Sequence, residues 1–102
     1  MLHYIVLADL KEHATDEHVA AMTEGYVALA TVIPQMRLVA AGREVGSEGG
    51  RTVVLTAQFE SAADLDVYRT HPDHRAYAQE HVLPFAEVRS VLQFFDDGGP
   101  AQ

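Results

Sequence analysis

The stretch Leu2–Leu10, LHYIVLADL, decides the architecture of this 102-residue chain. It is rich in aliphatic, β-branched and aromatic residues, which predicts a β-strand. Apolar side chains fall on both alternating faces, with Leu2, Tyr4, Val6 and Ala8 on one face and His3, Ile5 and Leu7 on the other. A strand of this kind is buried on two sides, so its sheet needs an apolar layer against each face.

The residues after this strand predict a long helix and then two further strands. Thr15 or Asp16 can cap the helix, whose apolar residues repeat at helical spacing until Pro34 ends them. Met36–Val45 and Arg51–Glu60 follow as strands, and the glycine-rich turn GSEGG between them indicates a hairpin.

The second half of the chain predicts a divided helical region and a last strand. Ser61, with an aspartate three residues later, resembles a capping box, and Pro72 suits the first turn of a second helix. Val88–Phe95 is the fourth strand, and residues 97–102 form a polar tail that we expect to be mobile after a single domain, 1–96. The order β-α-β-β-α-β predicts a ferredoxin-like α+β sheet with its helices on one face.

The uncovered face of that sheet is predicted to be too apolar for water. It is expected to carry Leu2, Tyr4, Val6, Val54 and Val91, interspersed with Thr52, Thr56 and Gln58. A second copy of the same chain is the simplest cover, so we expect a homodimer whose two sheets close into a dimeric α/β barrel.

Charge and composition exclude several classes of partner. Fifteen acidic residues against seven basic ones give a formal charge of −8, which disfavours nucleic acids and anionic membrane surfaces. The first apolar stretch is too short to span a bilayer and lacks a basic leader, so the expected location is the cytoplasm. Without cysteine, a thiolate nucleophile and thiolate metal sites are excluded.

Four proton-handling side chains crowd the stretch Tyr68–Tyr77, YRTHPDHRAY. If Pro72 opens a helix, His74 occupies its third position, where the positive helix end lowers the imidazole pKa and keeps a base available. Tyr68 precedes the proline and can donate a hydrogen bond to a carbonyl oxygen that gains charge as an α-proton leaves. This pair is predicted to perform enolate chemistry.

A pocket around this pair is predicted from residues elsewhere in the chain. His3, Ile5 and Leu7 are expected to face the helices, where Val53, Leu55 and Phe85 would complete an apolar lining. Tyr26, from the first helix, could be a wall of the pocket or a second hydrogen-bond donor.

Simpler interpretations exist for several of these residues. His71 is expected to cap its helix, and Tyr77 is expected to be a core residue. His74 could equally face solvent in the first helical turn.

A metal site is disfavoured because His71 and His74 are only two ligands. A phosphate site is disfavoured because the glycine-rich turn joins two strands and does not precede a helix. We therefore expect no metal and no cofactor.

Four segments together resemble one known family. HYIVLADL, VIPQMR, FESAADLDVYRTHPDH and HVLPFAEVRSVLQF are similar to the stress-responsive A/B barrel domain (Dabb) family of dimeric α/β barrels. Many members are stress-associated proteins, and one plant member is a cofactor-free polyketide cyclase. The resemblance implies that Tyr68 and His74 are the catalytic pair and that His3 and Tyr26 lie in the pocket. It also places Val53 where the plant enzyme has a histidine, and Phe85 where it has a bulky aromatic residue.

Three functions are compatible with these patterns. The first is a cofactor-independent, polyketide cyclase-like lyase that closes a small apolar β-carbonyl compound by aldol chemistry. The second is a non-catalytic dimeric stress-response or ligand-binding protein with the same pocket. The third, supported by fold analogy alone, is a cofactorless oxygenase or a heme-binding barrel.

Overall fold

The computed structural model describes residues 1–46 and 49–96. Its elements are β1 (Leu2–Leu10), α1 (Asp16–Leu29), β2 (Arg37–Arg43), β3 (Thr52–Phe59), α2 (Ala62–Thr70), α3 (Pro72–Tyr77), a π-helical segment (Ala78–Val82) and β4 (Ala86–Phe95). The strands form one sheet in the order β2-β3-β1-β4, and every neighbouring pair is antiparallel. The predicted ferredoxin-like α+β fold is confirmed. The predicted tail, residues 97–102, and part of the predicted glycine-rich turn, residues 47–48, lie outside the described residues.

The helices begin where the sequence predicts them to begin. Thr15 caps α1 by accepting the His18 amide N–H at 3.3 Å, and His18 Nδ1 accepts the Thr15 amide N–H at 3.0 Å in return. The Ser61 hydroxyl accepts the Asp64 amide N–H and caps α2. His71 Nδ1 caps α3, which confirms the structural role expected for that histidine.

The two faces of β1 are the reverse of those predicted. Buried side chains on β1 belong to Leu2, Tyr4, Val6, Ala8 and Leu10. Pairing of Tyr4 with Ala57 and of Val6 with Leu55 places them on the helix-covered face with the buried residues of β3. His3, Ile5 and Leu7 therefore lie on the open face. The physical reason is that the even positions are uniformly apolar, whereas the odd positions include His3 and Asp9, so the helix layer takes the even set.

Strand β4 contains a bulge where it pairs with the middle of β1. Leu7 pairs with Ser90 but Ala8 pairs with Val88, so Arg89 is an extra residue whose guanidinium binds the Asp9 carboxylate at 2.9 Å. Val91 pairs with Val6 and therefore lies on the helix-covered side, not on the predicted open face, and the extra residue brings Val88 to that same side. Leu92 and Phe94 alternate with Val91 and lie on the open face, about half exposed.

All four tyrosines of the chain are buried on the helix-covered side. Phe59 packs against Tyr4 and Tyr68, with ring centroids 6.2 and 5.5 Å apart. The rings of Tyr26 and Tyr77 lie 6.1 Å apart at the contact between α1 and α3. These aromatic contacts form the core that holds the candidate site.

Candidate functional site

A cavity of about 210 Å³ lies between the sheet and the segment that runs from α2 to the π-helical segment. Four lining residues carry a polar group, and these are Tyr4, Tyr68, His74 and Tyr77. Its apolar lining consists of Val6, Leu55, Ala78, Val82, Leu83, Val88 and Val91. Leu83, Val88 and Val91 are about half exposed, so they mark the mouth of the cavity beside the edge strand β4. No acidic side chain and no lysine or arginine belongs to this described lining.

The surroundings of His74 favour its neutral form. It occupies the third position of α3, as predicted, and its Nδ1 contacts the Arg69 carbonyl oxygen at 3.4 Å. Burial lowers the pKa of His74, the hydrogen bond to Arg69 opposes that change, and the charge of Arg75 adds to the lowering. Burial, rather than the predicted effect of the helix end, is thus the main cause. With the proton on Nδ1, the basic nitrogen is Nε2.

Tyr68 lies directly against His74 in the wall of the cavity. The two ring centroids are 4.1 Å apart and the ring planes are inclined by 36°. Burial raises the pKa of Tyr68, and the neighbouring phenols of Tyr26 and Tyr4 raise it further. Tyr68 therefore keeps its proton at neutral pH and can act as a hydrogen-bond donor. Tyr68 and His74 both line the same cavity.

The hydroxyl groups of Tyr77 and Tyr26 have different surroundings. The Tyr77 hydroxyl donates to the Met22 carbonyl oxygen at 2.6 Å, so its donor is already used. Tyr26 is fully buried behind the cavity lining, and its hydroxyl has no well-oriented hydrogen-bond partner within the described residues. Gly25 permits this packing, because a Cβ atom there would lie 3.0 Å from the Tyr77 ring.

The structure brings together only part of the predicted site. Tyr68, His74 and Leu55 line one cavity, and Tyr26 lies just behind it. The other predicted pocket residues, which are His3, Ile5, Leu7, Val53 and Phe85, do not line it.

Each of these five residues has another position. His3 stacks on Phe94 at 4.6 Å on the open face, where Ile5 and Leu7 also lie, because β1 presents its even positions to the helices. Val53 is fully buried opposite Ala8, outside the cavity. Phe85 stacks on His18 at 3.7 Å, since the chain has already turned away from the cavity after the π-helical segment. The predicted pocket location of these residues is wrong.

Sequence reasoning missed Tyr4 and the residues of β4 and the π-helical segment. The sequence does contain a signal for Tyr4. The polar residues His3 and Asp9 occupy odd positions of β1, so the even positions, which include Tyr4, form the more apolar face. Val91 follows from its pairing with Val6, whereas Val88 depends on the bulge at Arg89 and Val82 on a π-helical segment, neither of which has a readable pattern in this sequence.

Residues 1–46 and 49–96 contain neither a cluster of metal ligands nor a membrane-spanning helix. No three histidine or carboxylate side chains in that part of the chain are grouped so that they could hold one metal ion. None of its helices has the length and apolar character needed to cross a membrane.

The chain is similar to known proteins in both sequence and fold. The sequence model described as Stress responsive A/B Barrel Domain matches residues 2–96. A stress-response A/B barrel domain-containing protein of Arabidopsis thaliana is 30% identical over 101 residues, covering 98% of this chain. The chain spans 38% of the length of that relative.

Solved structures share the whole fold. A second Arabidopsis thaliana protein is 25% identical with a TM-score of 0.83, and the match covers 95% of this chain and 96% of the other. Hydroxynitrile lyase from Passiflora edulis is 20% identical with a TM-score of 0.81, covering 95% and 94%. A dimeric ferredoxin-like protein of unknown function from Bacteroides fragilis is 22% identical with a TM-score of 0.80, covering 93% and 95%.

Proposed function

Since this chain belongs to the stress-responsive A/B barrel domain family, we propose that it is a cofactor-independent enzyme that removes the proton α to a carbonyl group. Its proposed substrate is a small, apolar, polyketide-like β-carbonyl compound, and the proposed outcome is aldol-type cyclisation. One observation carries this proposal: Tyr68 and His74 lie in contact, with ring centroids 4.1 Å apart, in the wall of one apolar cavity. A structurally similar protein is a hydroxynitrile lyase, so the fold supports enzymes.

The proposed reaction uses His74 as base and Tyr68 as hydrogen-bond donor. Nε2 of His74 takes the α-proton, and the electron pair of the broken C–H bond becomes part of an enolate. The Tyr68 hydroxyl donates to the enolate oxygen as negative charge develops there. The enolate carbon then attacks a second carbonyl carbon of the same molecule and forms the new C–C bond. The resulting alkoxide takes the proton back from His74, which restores the neutral imidazole.

The character of the cavity supports a neutral, apolar substrate. Its walls are aliphatic apart from Tyr4, Tyr68, His74 and Tyr77, and its described lining holds no charged carboxylate or ammonium group to pair with an ionic ligand. Apolar surroundings also strengthen the hydrogen bond from Tyr68 to a charged oxygen.

We also propose that the chain forms a homodimer through the open face of its sheet. His3, Ile5, Leu7, Val54, Leu92 and Phe94 form this face, together with polar side chains of β3. Such an apolar sheet face is stabilised by a second layer, and structural neighbours from Bacteroides fragilis and Thermobifida fusca are described as dimeric. Sedimentation of the purified protein at twice the chain mass of 11.2 kDa would agree with this proposal, and sedimentation at the single-chain mass would refute it.

Proton exchange tests the first step without knowledge of the natural substrate. Phenylacetone is neutral and apolar and carries acidic methylene protons, whose replacement in D₂O can be followed by proton NMR. His74→Ala and Tyr68→Phe should each slow enzyme-dependent exchange by about a hundredfold, the usual contribution of a positioned acid, base or oxyanion donor. His13→Gln, which changes an exposed histidine that binds the Pro84 carbonyl, should leave the rate unchanged.

The same assay separates an enzyme from a binding protein. Saturable binding of phenylacetone without any exchange above the buffer rate would favour the non-catalytic binding protein. Exchange that survives in both His74→Ala and Tyr68→Phe would remove the proposed mechanism. If the exchange step is confirmed, conversion of a linear diketo ester to a cyclic product, followed by mass spectrometry and absorbance, tests the aldol step.

A further inference from the structure

Tyr4 projects from β1 into the same cavity as Tyr68 and His74. It is only 7% exposed, and its ring meets the Tyr68 ring nearly edge-on, with centroids 5.5 Å apart and planes inclined by 69°. Phe59 contacts the Tyr4 ring in a second edge-on arrangement at 6.2 Å. Contacts with two aromatic rings restrict the Tyr4 ring, so its hydroxyl has a defined position before any ligand binds.

The hydroxyl groups of Tyr4 and Tyr68 lie close enough to influence each other. Burial raises the pKa of Tyr4, while the positive charge of Arg69 and a hydrogen bond with the Tyr68 side chain act in the opposite direction. Both phenols therefore stay protonated at neutral pH and remain donors. The positive charge of Arg69 acts toward a lower pKa of Tyr4 and would likewise favour negative charge on a bound oxygen.

The other two tyrosines of the cluster are less suited to bind a ligand. Tyr77 donates its proton to the Met22 carbonyl oxygen. Tyr26 does not line the cavity. Within the described lining, Tyr4 and Tyr68 are thus the two phenols that do not donate to a backbone carbonyl oxygen.

We infer that Tyr4 is a catalytic residue that donates a second hydrogen bond to the carbonyl oxygen of the substrate, beside the hydrogen bond from Tyr68. This inference rests on the proposed function. When His74 removes the α-proton, the electron pair of the C–H bond moves into the enolate, and two phenol donors rather than one stabilise the oxygen that becomes negative. Neither phenol gives up its proton, so the step needs no other reactant.

Two adjacent donors restrict the substrates that the cavity can activate. An oxygen that accepts both hydrogen bonds and gains negative charge as an α-proton leaves is a carbonyl oxygen, on the carbon next to the one that loses its proton. Alcohols and amines could enter the cavity but would not gain an acidic C–H bond there. The arrangement therefore favours ketones and related carbonyl compounds.

Phenylacetone tests this inference with two measurements on the full-length protein and its variants. Tyr4→Phe keeps the ring and removes the hydroxyl, and it should lower kcat for methylene exchange by about a hundredfold, the loss expected for one oxyanion donor. KM should change less than about threefold, and the pH dependence of kcat should keep its shape because His74 is unchanged. In infrared difference spectra, the carbonyl band of the bound ketone should move to higher wavenumber in Tyr4→Phe, and further in a variant that also carries Tyr68→Phe.

Phe59→Leu is the matched control for loosened packing. Phe59 contacts both tyrosine rings but has no hydroxyl group. It should lower thermal stability and leave the bound carbonyl band where the unmodified protein has it. A band that moves as far in Phe59→Leu as in Tyr4→Phe would overturn the donor role of Tyr4.

The two measurements distinguish failure of this inference from failure of the proposed function. If Tyr68→Phe loses exchange and shifts the band while Tyr4→Phe behaves like the unmodified protein, the role of Tyr4 is overturned and the proposed function stands. If the unmodified protein shows no exchange, the proposed function falls and the catalytic role of Tyr4 falls with it. A carbonyl band that still depends on Tyr4 would then show a ligand contact without catalysis.

Discussion

The helix-covered face of the sheet and its open face are both apolar, but they differ in how their aromatic side chains are packed. On the covered face, Phe59 is fully buried and contacts the rings of Tyr4 and Tyr68. On the open face, Phe94 stacks on His3 but remains 49% exposed. The comparison indicates that the covered face stabilises the single chain, whereas the open face is available for association.

The histidines on the two faces also have different surroundings. His74 on the covered face is packed against Tyr68 in an apolar cavity, and burial lowers its pKa. His3 on the open face binds the Asp96 carboxylate at 2.9 Å, and the same carboxylate accepts a hydrogen bond from the N-terminal ammonium of Met1. The pKa of Asp96 is lowered, first by the hydrogen bond from His3 and then by that from the N-terminus. Only the covered face combines a neutral histidine with phenol donors.

The largest expected effect comes from removing the aromatic core of the covered face. Phe59→Ala should lower the free energy of unfolding by about 3–5 kcal/mol, because it deletes a fully buried ring and leaves a cavity. Phe94→Ala is the matched change on the open face and should cost the folded single chain less than about 1 kcal/mol. Urea unfolding at several protein concentrations measures both values and separates folding from association. Equal losses in the two variants would contradict the division of roles between the faces.

The order of elements could be predicted from the sequence because its signals are local. Thr15 and Ser61 mark helix starts through capping contacts with residues three positions away, and Pro72 marks one by occupying the first position of α3. Tyr68 and His74 were predicted as a pair for the same reason, since they flank one proline in the chain.

The sequence indicates less clearly which face of β1 packs against the helices. Both of its faces are apolar, so the decision rests on His3 and Asp9, two residues in a strand of nine. Because neighbouring residues of a strand alternate between its two faces, one wrong assignment placed His3, Ile5 and Leu7 together on the wrong side of the sheet. Tyr4 and Val88 enter the cavity from distant parts of the chain, and their positions depend on strand register and on the bulge at Arg89.

The next largest effect should appear in association rather than in folding. Introducing carboxylates on the open face, in a variant that carries both Leu92→Asp and Phe94→Asp, should weaken the proposed homodimer by about 2–4 kcal/mol, comparable to the loss of interface hot spots. Analytical ultracentrifugation measures the dissociation constant. Val27→Asp places the same charge on a similarly exposed apolar residue of α1 and should leave association unchanged. If Val27→Asp dissociated the homodimer and the variant with Leu92→Asp and Phe94→Asp did not, the interface would lie on α1 and not on the sheet.

The smallest expected effect is a difference between the faces in the pH dependence of stability. Because burial lowers the pKa of His74 in the folded chain, the unfolded chain binds this proton first as the pH falls below about 6.5. The contribution of His74 to stability is therefore present above that pH and is lost as the pH falls through the lower folded pKa. Asp96 also has a lowered pKa, but its contribution is present above about pH 4 and is lost only in more acidic solution.

Thermal unfolding between about pH 7.5 and pH 3 can separate these two contributions. His74→Gln should reduce the fall in Tm between about pH 7 and pH 5, because the side chain that is protonated on unfolding is gone. Asp96→Asn should leave that interval unchanged and reduce the fall below about pH 4. If His74→Gln kept the full decrease over the upper interval, the neutral histidine of the covered face would not be the group that resists protonation. The base proposed for the reaction would then lose its physical support, whereas the packing difference between the two faces would still stand.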